Sequence, residues 1–202
     1  MRIKSILWVF PVLLILTSCQ NNDTTTSDRD QAVLTEAETK AYLERGKSIA
    51  TATFAALSGQ LQSALQEGGV AHAIGYCNTV AYPLVDSLSE VHQAQIRRTS
   101  EQVRNPKDAP LPREEVQLAS YAQQMQSGED LRPVVRPIDE DRIAFYAPIT
   151  MQPLCLACHG KVGETLAEAD YQLIREKYPE DEAVGYQAGD LRGMWSITFA
   201  RD

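Results

Sequence analysis

The chain reads as an α+β domain in which long N-terminal helices pack on a small antiparallel sheet. Three observations point there. Apolar residues recur at spacings of three and four from Thr35 to Leu88, the period shortens to two after Gly128, and strands do not alternate with helices as they would around a parallel sheet. At 202 residues, 44% of them apolar, the chain suits one globular domain.

The first residues belong to a different class. Arg2 and Lys4 precede the apolar run Ile6 to Leu16, followed by Thr17-Ser18-Cys19. A run of about eleven residues is too short to cross a hydrocarbon core that needs about twenty, so residues 1–18 read as an export signal. Leu16-Thr17-Ser18-Cys19 resembles a bacterial lipobox, in which Cys19 is lipidated and becomes the N-terminus; cleavage without lipid is the plainer alternative. Residues 19–33 are polar and rich in Asn, Asp, Thr and Ser, the composition of a flexible tether. The expected organisation is a signal at 1–18, a tether at 19–33 and a folded domain at 34–202. The expected location is outside the cytoplasm, on the periplasmic side, lipid-anchored to the membrane through Cys19.

Thr35, with Glu38 three residues on, opens a first helix of about thirty residues that runs through Leu43, Ile49, Phe54 and Leu61 to a stop at Gly68-Gly69. Its length suits an exposed strut or the seam of a homodimer. A second helix follows at once, its apolar stripe drawn by Val70, Ala73, Ile74, Cys77, Ala81, Leu84 and Leu88. Pro83 lacks a backbone donor, so a kink or break is expected there. Residues 97–112 hold three prolines and no period and read as a basic loop; residues 113–127 read as a third helix stopped by Gly128. Leu131–Ile138 and Arg142–Ile149 then form a hairpin, with Pro133 and Pro137 placing its first strand at an edge. A helix over Glu164–Lys177 and a strand over Gly193–Phe199 complete the domain.

A formal charge of −8 and a pI near 4.9 argue against a nucleic-acid partner, which would need a basic face. No nucleophile is paired with a base, and nothing in the sequence supports an enzyme.

The sharpest chemical signal is Cys155-Leu-Ala-Cys158-His159. Two thiols three positions apart can form thioethers with both vinyl groups of a haem, and the adjacent imidazole then lies beneath the iron, which is the c-type attachment pattern. One covalent haem c is therefore expected. Export fits, because haem c is attached outside the cytoplasm. A zinc site would need a second paired motif, which the sequence lacks. A thioredoxin-like dithiol would open a helix after a parallel strand, a context the hairpin does not provide, and a disulfide across two residues is strained.

The second axial position is open on these grounds, with Cys77, His72, His92, Met125, Met151, Met194 or no protein ligand as candidates. Cys77 is the thiol left unexplained by lipid or haem and lies mid-stripe, although a small inert core residue is an equally common fate for a free cysteine. Arg98 and Arg104 offer guanidinium forks for haem propionates, or else structural hydrogen bonds in the loop. His72 and His92 read as surface residues.

The residues Ala73-Ile-Gly-Tyr-Cys77, Arg98-Thr-Ser100, Arg104-Asn105-Pro106 with Pro110, Cys155 to His159 and the strand opened by Gly193 resemble a family of monohaem c-type domains with a PAS-like sheet. These occur alone or as extracytoplasmic sensor modules and were long known only as a domain of unknown function. The resemblance spans about Thr35 to Phe199. It implies His159 and Cys77 as the two iron ligands. One departure is Asp108, where the family's R-N-P-x-N-x-P stretch has Asn. The resulting expectation is a haem-binding lipoprotein that senses redox state or a small gas through an unidentified redox or signalling protein partner. A low-potential electron-transfer cytochrome is the alternative, and a four-helix gas-binding cytochrome, which would have no strands, is the third reading.

Overall fold

The structure, a computed structural model, describes residues 33–201. The export signal, Cys19 and all of the tether but its last residue lie outside the described residues.

Helix α1 (Glu36–His92) opens where the sequence placed it. The Thr35 Oγ1 accepts from the Glu38 backbone N–H at 3.1 Å while the Glu38 carboxylate accepts from the Thr35 N–H at 2.8 Å, a complete capping box. Arg201 Nε then donates to the same carboxylate at 2.9 Å, tying the end of the chain to the start of the helix. The expected stop at Gly68-Gly69 is a kink: both glycines leave helical geometry, Gly69 at φ +66°, and the helix resumes beyond them. The break expected at Pro83 is absent. Helical geometry continues through it, and because Pro83 and Thr79 are both exposed, water can satisfy the carbonyl that the proline leaves without a donor.

The sheet is antiparallel, in the order β1 (Gln95–Thr99), β4 (Leu191–Ala200), β3 (Arg142–Thr150), β2 (Val134–Pro137). The hairpin β2–β3 and the edge position of the proline-bearing β2 are as expected. Strand β1 corrects the reading of residues from Arg97 as loop. Its sequence QIRRT buries only Ile96 and Thr99 and pairs with β4 alone, so it carries little of the apolar alternation that marks a strand.

Period two divides the strands between two cores. Ile143, Phe145 and Ala147 of β3 with Trp195, Ile197 and Phe199 of β4 face α1, where Tyr42, Ile49, Ala50 and Val85 meet them. Ala144, Tyr146 and Met194 face the other way, onto Leu118 and Tyr121 of α2 (Pro112–Gln126). Gly46 permits the closeness on the α1 side, since a Cβ there would overlap the Phe145 ring. The long helix, antiparallel sheet and second helical layer are the α+β architecture the sequence called for, and the sheet excludes the four-helix reading.

The motif end is separate. Short α3 (Leu156–His159) and α4 (Glu168–Lys177) lie against the part of α1 beyond the kink, with Ile74, Leu166, Ile174 and Tyr178 as their shared core and Cys158 packed on it. No described helix is long and apolar enough to cross a membrane.

Candidate functional site

Pro153 starts a tight turn that leads into α3, so Cys155, Cys158 and His159 share about one helical turn. All three, and Cys77, are partly buried, and Cys77, Cys155 and Cys158 are free thiols.

A loop over residues 181–186 clasps this turn from outside. The Gly185 N–H donates to the Gly160 carbonyl at 2.9 Å and the Tyr186 N–H to the His159 carbonyl at 3.1 Å. The His159 Nδ1 lies 2.7 Å from the Ala183 carbonyl. A carbonyl only accepts, so Nδ1 carries the proton and Nε2 keeps its lone pair for another partner. Part of His159 is open by area, yet its ring is packed closely enough that burial, and after it Arg104 and Arg192, hold its pKa well below the ordinary histidine range. The imidazole is neutral, the form that binds metals. The Tyr186 ring stands edge-on to it at 6.5 Å.

Arg104 reaches into the clasp. Its Nε and Nη2 donate to the two carboxylate oxygens of Asp181 at 3.1 and 3.2 Å, and Nη2 also to the carbonyls of Cys158 at 2.5 Å and Ala183 at 3.3 Å. The Asp181 side chain is fully enclosed and that of Arg104 is 15% exposed. Arg104 thus makes the structural hydrogen bonds that its sequence position left open as one of two readings.

Cys77 comes to the site from the far side, on α1 beyond the kink. Burial raises its thiol pKa, and the positive charges of Arg98 and Arg104 oppose that rise. Cys158 is pushed up to about 11, by burial first, with Arg104 opposing and Cys77 adding to the rise. The two sulfurs are therefore within electrostatic reach, which joins residues 77 and 158 across α1 and the motif turn. Arg98 is near as well, acting on Cys77, His159 and the half-buried Asp108, whose pKa is raised by burial and lowered in part by that guanidinium.

Among the other candidates, His72 and Met194 lie away from this cluster, whereas Met125 borders it. His72 meets Glu67 at 3.4 Å on the surface with half its side chain exposed. Met194 is enclosed under α2, and Met125 lines a cavity of about 360 Å³ with Ser100, Tyr186, Asp190 and Arg192. Among the described residues no three of His, Cys, Asp and Glu are grouped as a metal cage.

Sequence reasoning missed Arg192, Asp181 and Ala183. The β3–β4 register slips between Ile149 and Thr150, whose partners are Gly193 and Leu191, so Arg192 falls in a bulge that turns it out of the ladder. Its Nη1 donates to the Ser100 hydroxyl at 2.5 Å and the Gln102 carbonyl at 3.0 Å, and its guanidinium lies 5.5 Å over the Tyr186 ring. A basic residue directly before a glycine in an apolar strand was the available signal. Ala183 acts through its backbone carbonyl, which no side-chain pattern reveals.

These residues suit a c-type haem. The two thiols and the imidazole share one turn, the Nε2 lone pair is free, and the guanidinium groups of Arg98, Arg104 and Arg192 all act on His159, Arg104 being paired with Asp181.

No curated protein matches the chain. A solved structure does: that of the cyanobacterial heme-protein Tll0287 is 23% identical, with a TM-score of 0.50 over 75% of this chain and 95% of that one, a likeness of fold. The sequence profile of the Tll0287-like family matches residues 23–200, which is most of the molecule, and the chain belongs to that family.

Proposed function

We propose that the protein is an extracytoplasmic, lipid-anchored haem c protein that senses redox state or a small gas. Cys155 and Cys158 would hold one haem through thioethers, and His159 Nε2 and the Cys77 sulfur would be the iron-binding atoms. The observation that carries this reading is the 2.7 Å bond from His159 Nδ1 to the Ala183 carbonyl, which fixes the tautomer and leaves the Nε2 lone pair available on a turn that carries two free thiols. The solved structure of similar fold, Tll0287, is by its own description a heme-protein, which supports the assignment.

Bound there, the haem would supply one-electron chemistry at a potential lowered by a thiolate donor. The protein's own residues do the rest. Cys155 and Cys158 anchor, and His159 is oriented from behind by the clasp. Arg98, Arg192 and the Nη1 of Arg104 would receive the propionates, while the other Arg104 nitrogens hold the clasp. Cys77 would supply the second iron-binding atom, and the burial that raises its thiol pKa favours the protonated form, which does not hold a metal. No catalytic role is proposed, and Cys19 is proposed as the membrane anchor.

Absorption and spin-resonance spectra of the wild type beside Cys77→Ala test the assignment. A low-spin thiolate signature that disappears in the variant is the expected result. Reduction should then open a coordination position that binds carbon monoxide. A six-coordinate spectrum that survives reduction and refuses carbon monoxide would make the protein an electron carrier instead. A colourless product of unmodified mass from a host competent for cytochrome maturation would remove the haem altogether.

A further inference from the structure

We propose that the Arg104–Asp181 pair positions and tunes the His159 imidazole. It sets how strongly the Ala183 carbonyl accepts the Nδ1 proton, and through that bond how much electron density Nε2 can give. The proposal rests on the haem reading above and names residues behind the ligand.

The geometry is a closed circuit of hydrogen bonds. The Ala183 carbonyl is shared by His159 Nδ1 at 2.7 Å and Arg104 Nη2 at 3.3 Å. Arg104 Nη2 also holds the Cys158 carbonyl, one residue before the imidazole. Asp181 Oδ1 accepts both Arg104 Nε at 3.1 Å and the Ala183 N–H at 3.0 Å, so one carboxylate grips the guanidinium and the peptide that carries the accepting carbonyl. A fully enclosed carboxylate and a nearly enclosed guanidinium are costly to take out of water, and apolar residues hold two loops together at lower cost. What an apolar contact could not do is set the charge at the carbonyl behind a metal-binding histidine.

The sign follows. A carbonyl polarised by a guanidinium is a weaker acceptor for the imidazole, which then donates less to a metal and favours the reduced state. Asp181 neutralises the guanidinium and limits that effect. Replacing it with a neutral side chain leaves the positive charge uncompensated beside the site and favours reduction by both routes. Replacing Arg104 with lysine keeps the charge pair but loses the fork that spans Asp181 and two carbonyls, which frees Ala183 for the imidazole and disfavours reduction.

The test uses haem-loaded full-length protein as wild type, Asp181→Asn, Asp181→Glu and Arg104→Lys, with redox titration, spin-resonance g values and melting temperature measured on each. Asp181→Asn should raise the one-electron reduction constant about tenfold, ~59 mV. Arg104→Lys should lower it, and Asp181→Glu should restore the wild-type value, with g values moving in step. If Asp181→Asn does not fold, the sign for Arg104→Lys decides. Wild-type potential and g values in the folded variants, with only the melting temperature changed, would reduce the pair to a structural strut and overturn the proposal. A wild type without haem would overturn the haem reading first, and that result is distinct from either.

Discussion

Along β3 and β4 the inward side chains are enclosed almost without remainder: Ile143, Phe145, Ile197 and Phe199 are all 0% exposed. In the Leu156–His159 turn none is buried. The sheet region is held by apolar area removed from water, which is non-directional and tolerates many sequences of the right volume. The motif turn adds to a small apolar core beneath it a set of directed bonds: a histidine to a carbonyl, a guanidinium to a carboxylate and two carbonyls, and two peptide N–H groups to the turn. Stability and site geometry are thus assigned to different parts of the chain, and each can be disturbed with the other left in place.

The most severe test of that separation is Phe145→Ala. Removing a fully enclosed ring that Gly46 was left small to admit should cost about 3–5 kcal/mol in denaturant unfolding. The surviving folded fraction should keep its axial-ligand spectrum, and a changed spectrum would show that sheet and site are coupled. Next comes Ile174→Ala, in the smaller core under the motif turn, where ~2–3 kcal/mol is expected. Here the effect should be regional, with amide exchange quickening in α4 and the 181–186 loop before the sheet. Thr35→Ala follows at about 1 kcal/mol, the worth of an N-cap, with no spectral consequence at all.

The same division governs what the sequence could show. Period and capping gave the helices, and alternation gave β2, β3 and β4, because those patterns record which side chains leave water. β1 escaped because an edge strand of sequence QIRRT buries so little. The Pro83 break did not occur because an exposed proline leaves only a solvated carbonyl unpaired. At the site, Cys155, Cys158 and His159 stood out because C-x-x-C-H is a fixed, recognisable spacing, and the structure brings the three into one turn. Cys77 was singled out as an unexplained thiol, and its nearness to Cys158 is a product of tertiary packing that no local pattern records. Asp181 and Ala183 were not legible. One is an acid in a loop that holds several, and the other acts through its backbone.

pH offers the finest probe, because the two regions should fail from opposite sides in haem-free protein. Glu38 has its pKa lowered to about 2, first by the Thr35 backbone N–H, then by the Thr35 hydroxyl and Arg201. A carboxylate with a depressed folded pKa binds fewer protons folded than unfolded, so its contribution is present above the unfolded value of 4.5 and fades as pH falls from there toward 2. The group is partly exposed and screened by salt, so the acid limb should be shallow and should flatten in Glu38→Gln. Cys158 has the reverse sign. Burial keeps its thiol protonated up to about 11, against 9.0 unfolded, so the folded state binds more protons between those values and stability falls as pH rises through them. Cys158→Ser should remove that part of the alkaline slope and leave the acid limb untouched. If instead Glu38→Gln altered the alkaline limb, or Cys158→Ser the acid one, the two regions would share one cooperative unit and the separation argued from burial would fail.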